Sequence, residues 1–220
     1  MKSRPSYVVP APSAPWRWSQ AVLALATLAV WLVLVALGIW MGELNQDEGW
    51  YLYAAKSLRL GLVPYRDFAF TQPPMLPLLY AMVFPWISGL GLLGGRLLTA
   101  LFGAVALLAA AALAMRLAPF RSRRLAMALC VVLVAVNAYQ AGFFSVVKTY
   151  SLSSMFLLSG LWSLSFVGRR HAVRPAFLSG FLLACAAATR LSLALAPVLV
   201  ALYLLVFSRR LKPWAWLDFS

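Results

Sequence analysis

Residues 20–41 read Gln20-Ala21-Val22-Leu23-Ala24-Leu25-Ala26-Thr27-Leu28-Ala29-Val30-Trp31-Leu32-Val33-Leu34-Val35-Ala36-Leu37-Gly38-Ile39-Trp40-Met41, and the chain continues directly into Gly42-Glu43-Leu44-Asn45-Gln46-Asp47-Glu48. The first run has no ionisable residue. It meets the requirement of about 20 apolar residues for crossing a hydrocarbon core of about 30 Å. A secretory signal has an apolar core of only about 7–15 residues and ends at a small-residue cleavage site. This run is longer and leads straight into carboxylates, so it reads as an uncleaved anchor with acids at its far end.

Working outward, the runs 97–115, 125–147 and 149–167 also lack internal charge and read as spans. The stretch 175–207 is interrupted by Thr189-Arg190, with Pro197 further on. One straight helix over it would be about 50 Å long, well beyond the hydrocarbon thickness. Two short spans, 175–189 and 191–207, with Arg190 at the tip between them, resolve the excess. Residues 75–95 are uncharged, yet Pro74, Pro77, Pro85 and four glycines break them up. An additional crossing there would turn every later basic cluster outward, so 75–90 reads as a surface or re-entrant helix. The expected fold is therefore an all-α polytopic membrane protein of about six transmembrane helices. Its long first outer loop, 42–96, carries membrane-surface helices.

Composition agrees with this. The chain of 220 residues is 64% hydrophobic and 11% charged, with mean hydropathy +0.87. A soluble domain is about 45–50% apolar and about 25% charged, so disorder, a disulfide scaffold and a soluble enzyme are excluded. The net charge of +14 follows the positive-inside pattern. Lys2, Arg4, Arg17, Arg116, Arg121, Arg123, Arg124, Arg169, Arg170, Arg174, Arg209, Arg210 and Lys212 fall on one side, and Lys56, Arg59, Arg66, Arg96, Lys148 and Arg190 on the other. Four of the five acids, Glu43, Asp47, Glu48 and Asp67, lie on the second, outer side. Both chain ends are then cytoplasmic: a tail over 1–19, a membrane module over 20–207 and an end over 208–220, in the cell membrane. Basic residues that punctuate apolar segments, rather than clustering on a soluble face, argue against a nucleic-acid partner.

The outer loop holds the candidate chemistry. Trp50, Tyr51, Ala54, Ala55, Leu58 and Leu62 recur at helical spacing, and Trp50, Tyr51 and Tyr53 suit a headgroup region. Gly61 should end that helix, and Pro64-Tyr65-Arg66-Asp67-Phe68 should form a turn. Adjacent acids at a span end are most often solvated charges. Here Asp47 and Glu48 are two of only five acids, and burial would raise a carboxylate toward the range useful to a general base. His171 sits among arginines and reads as topology. Cys130 and Cys185 sit in apolar runs and form no metal-type pair. No metal and no cofactor is expected.

The run Asp47-Glu48-x-x-Tyr51, Gly61-x-x-Pro64-Tyr65-x-Asp67, Pro73-Pro74 and Arg96 resembles the first outer loop of polyprenyl-phosphate-dependent glycosyltransferases of the C-type fold. That family includes the protein mannosyltransferase and lipid A aminoarabinose transferase branches. The likeness is specific over 43–96 and only hydropathic beyond. It implies that Asp47 is the catalytic base on an acceptor hydroxyl and that Glu48 helps hold the acceptor. It also implies an inverting attack on a sugar carried by a polyprenyl-phosphate donor, with a glycan, lipid or protein as acceptor and the bilayer as environment. Outer cations suited to the leaving phosphate are Lys148 and Arg190, with Arg96 a weaker candidate; snorkelling to headgroups is the ordinary alternative. The chain departs from the family in two respects. Gln72-Pro73-Pro74 stands where the aminoarabinose branch has Glu-Lys-Pro, and the second outer loop, between Val146 and Thr149, is nearly absent. Family members usually carry more spans and often a soluble outer domain, so the expectation is an N-terminal part of such an enzyme. A transporter or lipid flippase, and a non-catalytic membrane fragment, are the alternative readings.

Overall fold

A computed structural model describes residues 14–42, 45–167 and 173–208, with the side chains of 14–21, 23, 24, 207 and 208 excepted. The expectations for residues 1–13, Glu43, Arg169, Arg170, His171 and 209–220 lie outside the described residues. The described chain is helical, without a strand; its one β-type pairing is an isolated bridge between Pro64 and Phe68. The helices are α1 (Ala14–Met41), α2 (Gln46–Arg59), α3 (Met75–Ile87), α4 (Gly91–Leu117), α5 (Arg123–Ala135), α6 (Ala138–Phe143), α7 (Thr149–Leu164), α8 (Val173–Thr189) and α9 (Leu195–Ser208).

Local chemistry accounts for most of the boundaries. At the end of α2, Gly61 takes φ +82°. Its N–H donates to Leu58 O at 3.0 Å and that of Leu62 to Ser57 O at 3.1 Å. These are the paired bonds of a Schellman cap, which favours glycine because of the positive φ. The helical run Met75–Leu117 is long and apolar enough to cross a membrane, but it is not one straight rod. Gly91, at φ +55°, follows a 3-10 turn over Ser88–Leu90. Beyond it the chain folds back, so that Tyr80 Oη donates to Gly95 O at 3.0 Å and meets the Thr99 hydroxyl. In a straight helix residues 80 and 95 would be about 22 Å apart along the axis. Helix α4 is thus the long member of the pair, at about 40 Å, and α3 packs back beside its start and against α2.

The expected span over 125–147 is not one continuous helix. Helix α5 ends at Ala135, and Asn137 opens the short α6 by accepting from Gln140 N–H on its side chain at 3.1 Å. A 13-residue helix such as α5 extends only about 20 Å. Residues 144–148 then run without helix to α7. The expected interruption at Arg190 is present: α8 ends at Thr189, Arg190 is extended at φ −145° and ψ 113°, and a 3-10 turn leads into α9. Among the described residues one helical run passes the length and apolarity test for a membrane crossing, or two if the segment Leu25–Met41, bent by 84° from α2, is included. Helices α8 and α9 are apolar but shorter.

Packing centres on α7, which lies against both α4 and α8. A Cβ added at Gly160 would come within 2.9 Å of Leu183, so glycine sets the close approach of α7 and α8. One apolar cluster joins Trp31, Val35, Ala106, Leu107, Ala135, Ala141 and Phe144. The other joins Tyr51, Ala54, Ala55, Phe70, Leu76, Tyr80, Val147 and Leu152, and it seats α2 and the following loop on α4 and α7.

Candidate functional site

The site is built at the first turn of α2. Asn45 caps the helix: its Oδ1 accepts from Asp47 N–H at 3.0 Å, while Glu48 Oε2 accepts from Asn45 N–H at 3.3 Å. This reciprocal capping box satisfies donors that a helix start would leave unpaired. It also fixes the azimuth of both carboxylates. Successive residues on a helix are about 100° apart around the axis, so two neighbouring acids cannot face the same way.

Glu48 faces inward and is 1% exposed. Its Oε1 accepts from Arg96 Nε at 3.0 Å and from Val147 N–H at 3.0 Å, and its Oε2 accepts from Arg96 Nη2 at 2.8 Å. Arg96, 4% exposed, also donates through Nη1 to Ile39 O at 2.8 Å and Gly42 O at 3.2 Å. One bidentate ion pair therefore ties the end of α1, the start of α2, the start of α4 and the approach to α7. Burial pushes the Glu48 carboxyl up, but the Arg96 guanidinium together with the Val147 and Asn45 amides holds it below its ordinary value. It is a carboxylate with its acceptor capacity engaged. Its side chain points into protein and away from solvent.

Asp47 faces outward, with 54% of its side chain exposed. Its Oδ2 pairs with Lys148 Nζ at 2.9 Å, and the lysine side chain is 19% exposed. Lys148 is the N-cap residue of α7, so the short link between α6 and α7 is what delivers it to α2. Beside the pair stands Tyr51, one helical turn on from Asp47. It is buried, with the Thr149 side chain of α7 beside its phenol. Burial and then the Asp47 charge raise its phenol above the ordinary value, partly offset by Thr149 and by the positive charge of Arg190. Arg190 lies over the Tyr150 ring, 4.2 Å from Cζ to the centroid, and its Nε donates to Ser192 Oγ at 3.2 Å. The break between α8 and α9 thus brings Arg190 to the same neighbourhood.

Lys148 also lines a cleft of about 350 Å³ between α1, α6 and the 145–148 link. Gly38, Gly42, Tyr139, Phe143 and Val146 line it, and Lys148 is the only cation among its described lining residues. The turn after α2 is held by contacts of its own. Asp67 accepts from Val63 N–H at 2.8 Å and pairs with Arg66 at 2.9 Å, contacts that hold its carboxyl below the usual range. Tyr65, at φ +69°, donates its hydroxyl to Gln72 O at 2.6 Å.

The structure brings Asp47, Lys148 and Arg190 together around Tyr51 and Tyr150, and turns Glu48 away from them. Two placements differ from the sequence reading. Tyr51, expected among headgroups, is inside the core because α7 covers it. Arg96, considered for phosphate, is committed to Glu48. The available signal for Arg96 was general: in so apolar a chain, a charge between Gly95 and Leu97 needs a buried partner. Among the described residues no three His, Cys, Asp or Glu side chains converge as a metal site would require. No protein-family model, curated protein or solved structure matches the chain.

Proposed function

We propose that the chain is the membrane module of an inverting glycosyltransferase that uses a polyprenyl-phosphate-linked sugar on the non-cytoplasmic face of the cell membrane. In this reading it crosses the bilayer about six times, with the N-terminus inside and α2 on the outer surface. The observation that carries the proposal is the meeting of an exposed carboxylate, Asp47, with a cation, Lys148, that also lines an apolar cleft. A general base, a phosphate-sized charge and a hydrocarbon surface are the three things such a reaction needs from the protein.

The chemistry follows from that arrangement. An acceptor hydroxyl approaches the open side of Asp47. Its oxygen bonds to the anomeric carbon as the bond from that carbon to the phosphate oxygen breaks on the opposite face. The hydroxyl proton passes to Asp47, and the electron pair leaves with the polyprenyl phosphate. General-base assistance of this kind contributes about 10²–10⁴-fold. Lys148 and Arg190 meet the charge on the departing phosphate, and the prenyl chain lies along the cleft bounded by Tyr139 and Phe143. Glu48 acts through position, holding the first turn of α2 so that Asp47 keeps its outward azimuth.

The test uses membranes containing the protein and a radiolabelled polyprenyl-phosphate hexose. Release of polyprenyl phosphate with transfer of label is expected, and Asp47→Asn should abolish it without altering membrane insertion. Unchanged turnover in Asp47→Asn contradicts the reading. So does labelling of Gln46→Cys, in a background lacking Cys130 and Cys185, by an impermeant maleimide from the cytoplasmic side alone.

A further inference from the structure

We infer that Lys148 changes partners during the reaction: it is held on Asp47 at rest and passes to the phosphate as Asp47 takes the acceptor proton. This rests on the function proposed above and specifies how its two charged groups are coupled.

The geometry supplies the argument. Asp47 and Lys148 are in direct contact at 2.9 Å, so a carboxylate meant to accept a proton is occupied by a cation before substrate arrives. The pair is unequal. More than half of the Asp47 side chain is open to solvent, whereas that of Lys148 is four-fifths covered, and Lys148 also faces the apolar cleft. A phosphate lodged there is drawn to the same ammonium. Lys148 stands in the non-helical link before α7, its side chain is long and flexible, and an ammonium, unlike a guanidinium, acts as a point charge without a fixed fork. Arg190, already stacked on Tyr150 and bonded to Ser192, offers a stationary second charge.

The charge changes of the transfer drive the exchange in one direction. Before reaction Asp47 carries one negative charge and the donor phosphate, as a diester, carries one. After reaction Asp47 is protonated and neutral, and the phosphate, now a monoester, carries between one and two. Lys148 therefore loses its reason to stay on Asp47 at the moment the leaving group needs it. A base tied permanently to a cation would be weakened, and a phosphate site lacking the lysine would leave the developing charge unmet.

The exchange predicts that removing the Asp47 charge improves phosphate binding. The probe is farnesyl phosphate, titrated into the full chain in nanodiscs, with farnesol as the uncharged control. Asp47→Asn, which mimics the protonated base, should bind farnesyl phosphate roughly threefold more tightly than the native chain, as expected for release of a partly exposed ion pair. Lys148→Gln should bind it about tenfold more weakly, and adding Asp47→Asn to Lys148→Gln should restore nothing. Farnesol should bind all four alike. If Asp47→Asn leaves affinity unchanged or lower while Lys148→Gln still weakens it, the exchange is overturned and the phosphate site stands. If neither substitution alters binding, both the exchange and the donor site proposed above are overturned. Thermal midpoints of each variant, measured in parallel, separate these outcomes from misfolding.

Discussion

The two sides of the first turn of α2 carry the same functional group and meet opposite surroundings. On the inner side, Glu48 is sealed against Arg96 in a pair that touches four segments of the chain. On the outer side, Asp47 holds Lys148 by one contact at the edge of solvent. The buried, fully engaged carboxylate is a structural tie, unavailable to any other partner. The exposed one holds a single partner, which in the function proposed above it can exchange.

The largest effect on stability should come from breaking the inner pair. Arg96→Met leaves Glu48 charged and buried without its partner, a class of change that costs about 3–5 kcal/mol. Thermal unfolding in detergent should show this as a large drop in midpoint. Combining it with Glu48→Leu should recover part of the loss by removing the orphaned charge, although the Ile39 and Gly42 carbonyls and the Val147 amide would still lack their bonds. A double substitution as damaging as the sum of the singles would show that the two residues act independently.

Acid should select the inner side next. The Glu48 carboxyl is held below its ordinary value of 4.5 when folded. Its contribution to folding is therefore complete above that value and is lost as pH falls through the lower folded value. The midpoint should fall over that interval, and in Glu48→Gln this part of the pH dependence should vanish.

Smaller effects should mark the border between the two sides. Tyr51→Phe removes the phenol oxygen beside Thr149 while keeping the ring in its cluster, for a loss of at most about 1 kcal/mol. A loss several times larger would place the hydroxyl in a wider network than the Thr149 contact. The smallest change in stability should come from Lys148→Ala, within about 1 kcal/mol, because its partner is more than half exposed and screened by solvent. A loss comparable to that of Arg96→Met would erase the distinction between the two pairs.

The same contrast explains what could be read from sequence. The stop at Gly61, the turn through Asp67 and the break at Arg190 were legible because each is fixed by residues within a few positions. Asp47, Lys148 and Arg190 were legible as charges placed outside the apolar runs. The Glu48–Arg96 pair was not, since its partners are 48 residues apart and nothing local distinguishes an inward acid from an outward one. The reciprocal spacing of Asn45 and Glu48 was a missed indication of where α2 starts. The break at Asn137 was hidden because the residues around it remain apolar, and hydropathy averages register composition rather than caps. Tyr51 looked like an interface residue because its burial depends on α7, far along the chain.

The most direct test of this division is to measure Asp47→Asn and Glu48→Gln side by side for two quantities, thermal midpoint and transfer rate per folded molecule from a polyprenyl-phosphate hexose. The account predicts a crossed result. Asp47→Asn keeps its midpoint and loses transfer by at least about 10²-fold, whereas Glu48→Gln loses midpoint while its folded fraction still turns over. Native turnover in Asp47→Asn, or a Glu48→Gln chain that is fully stable and inactive, would contradict it.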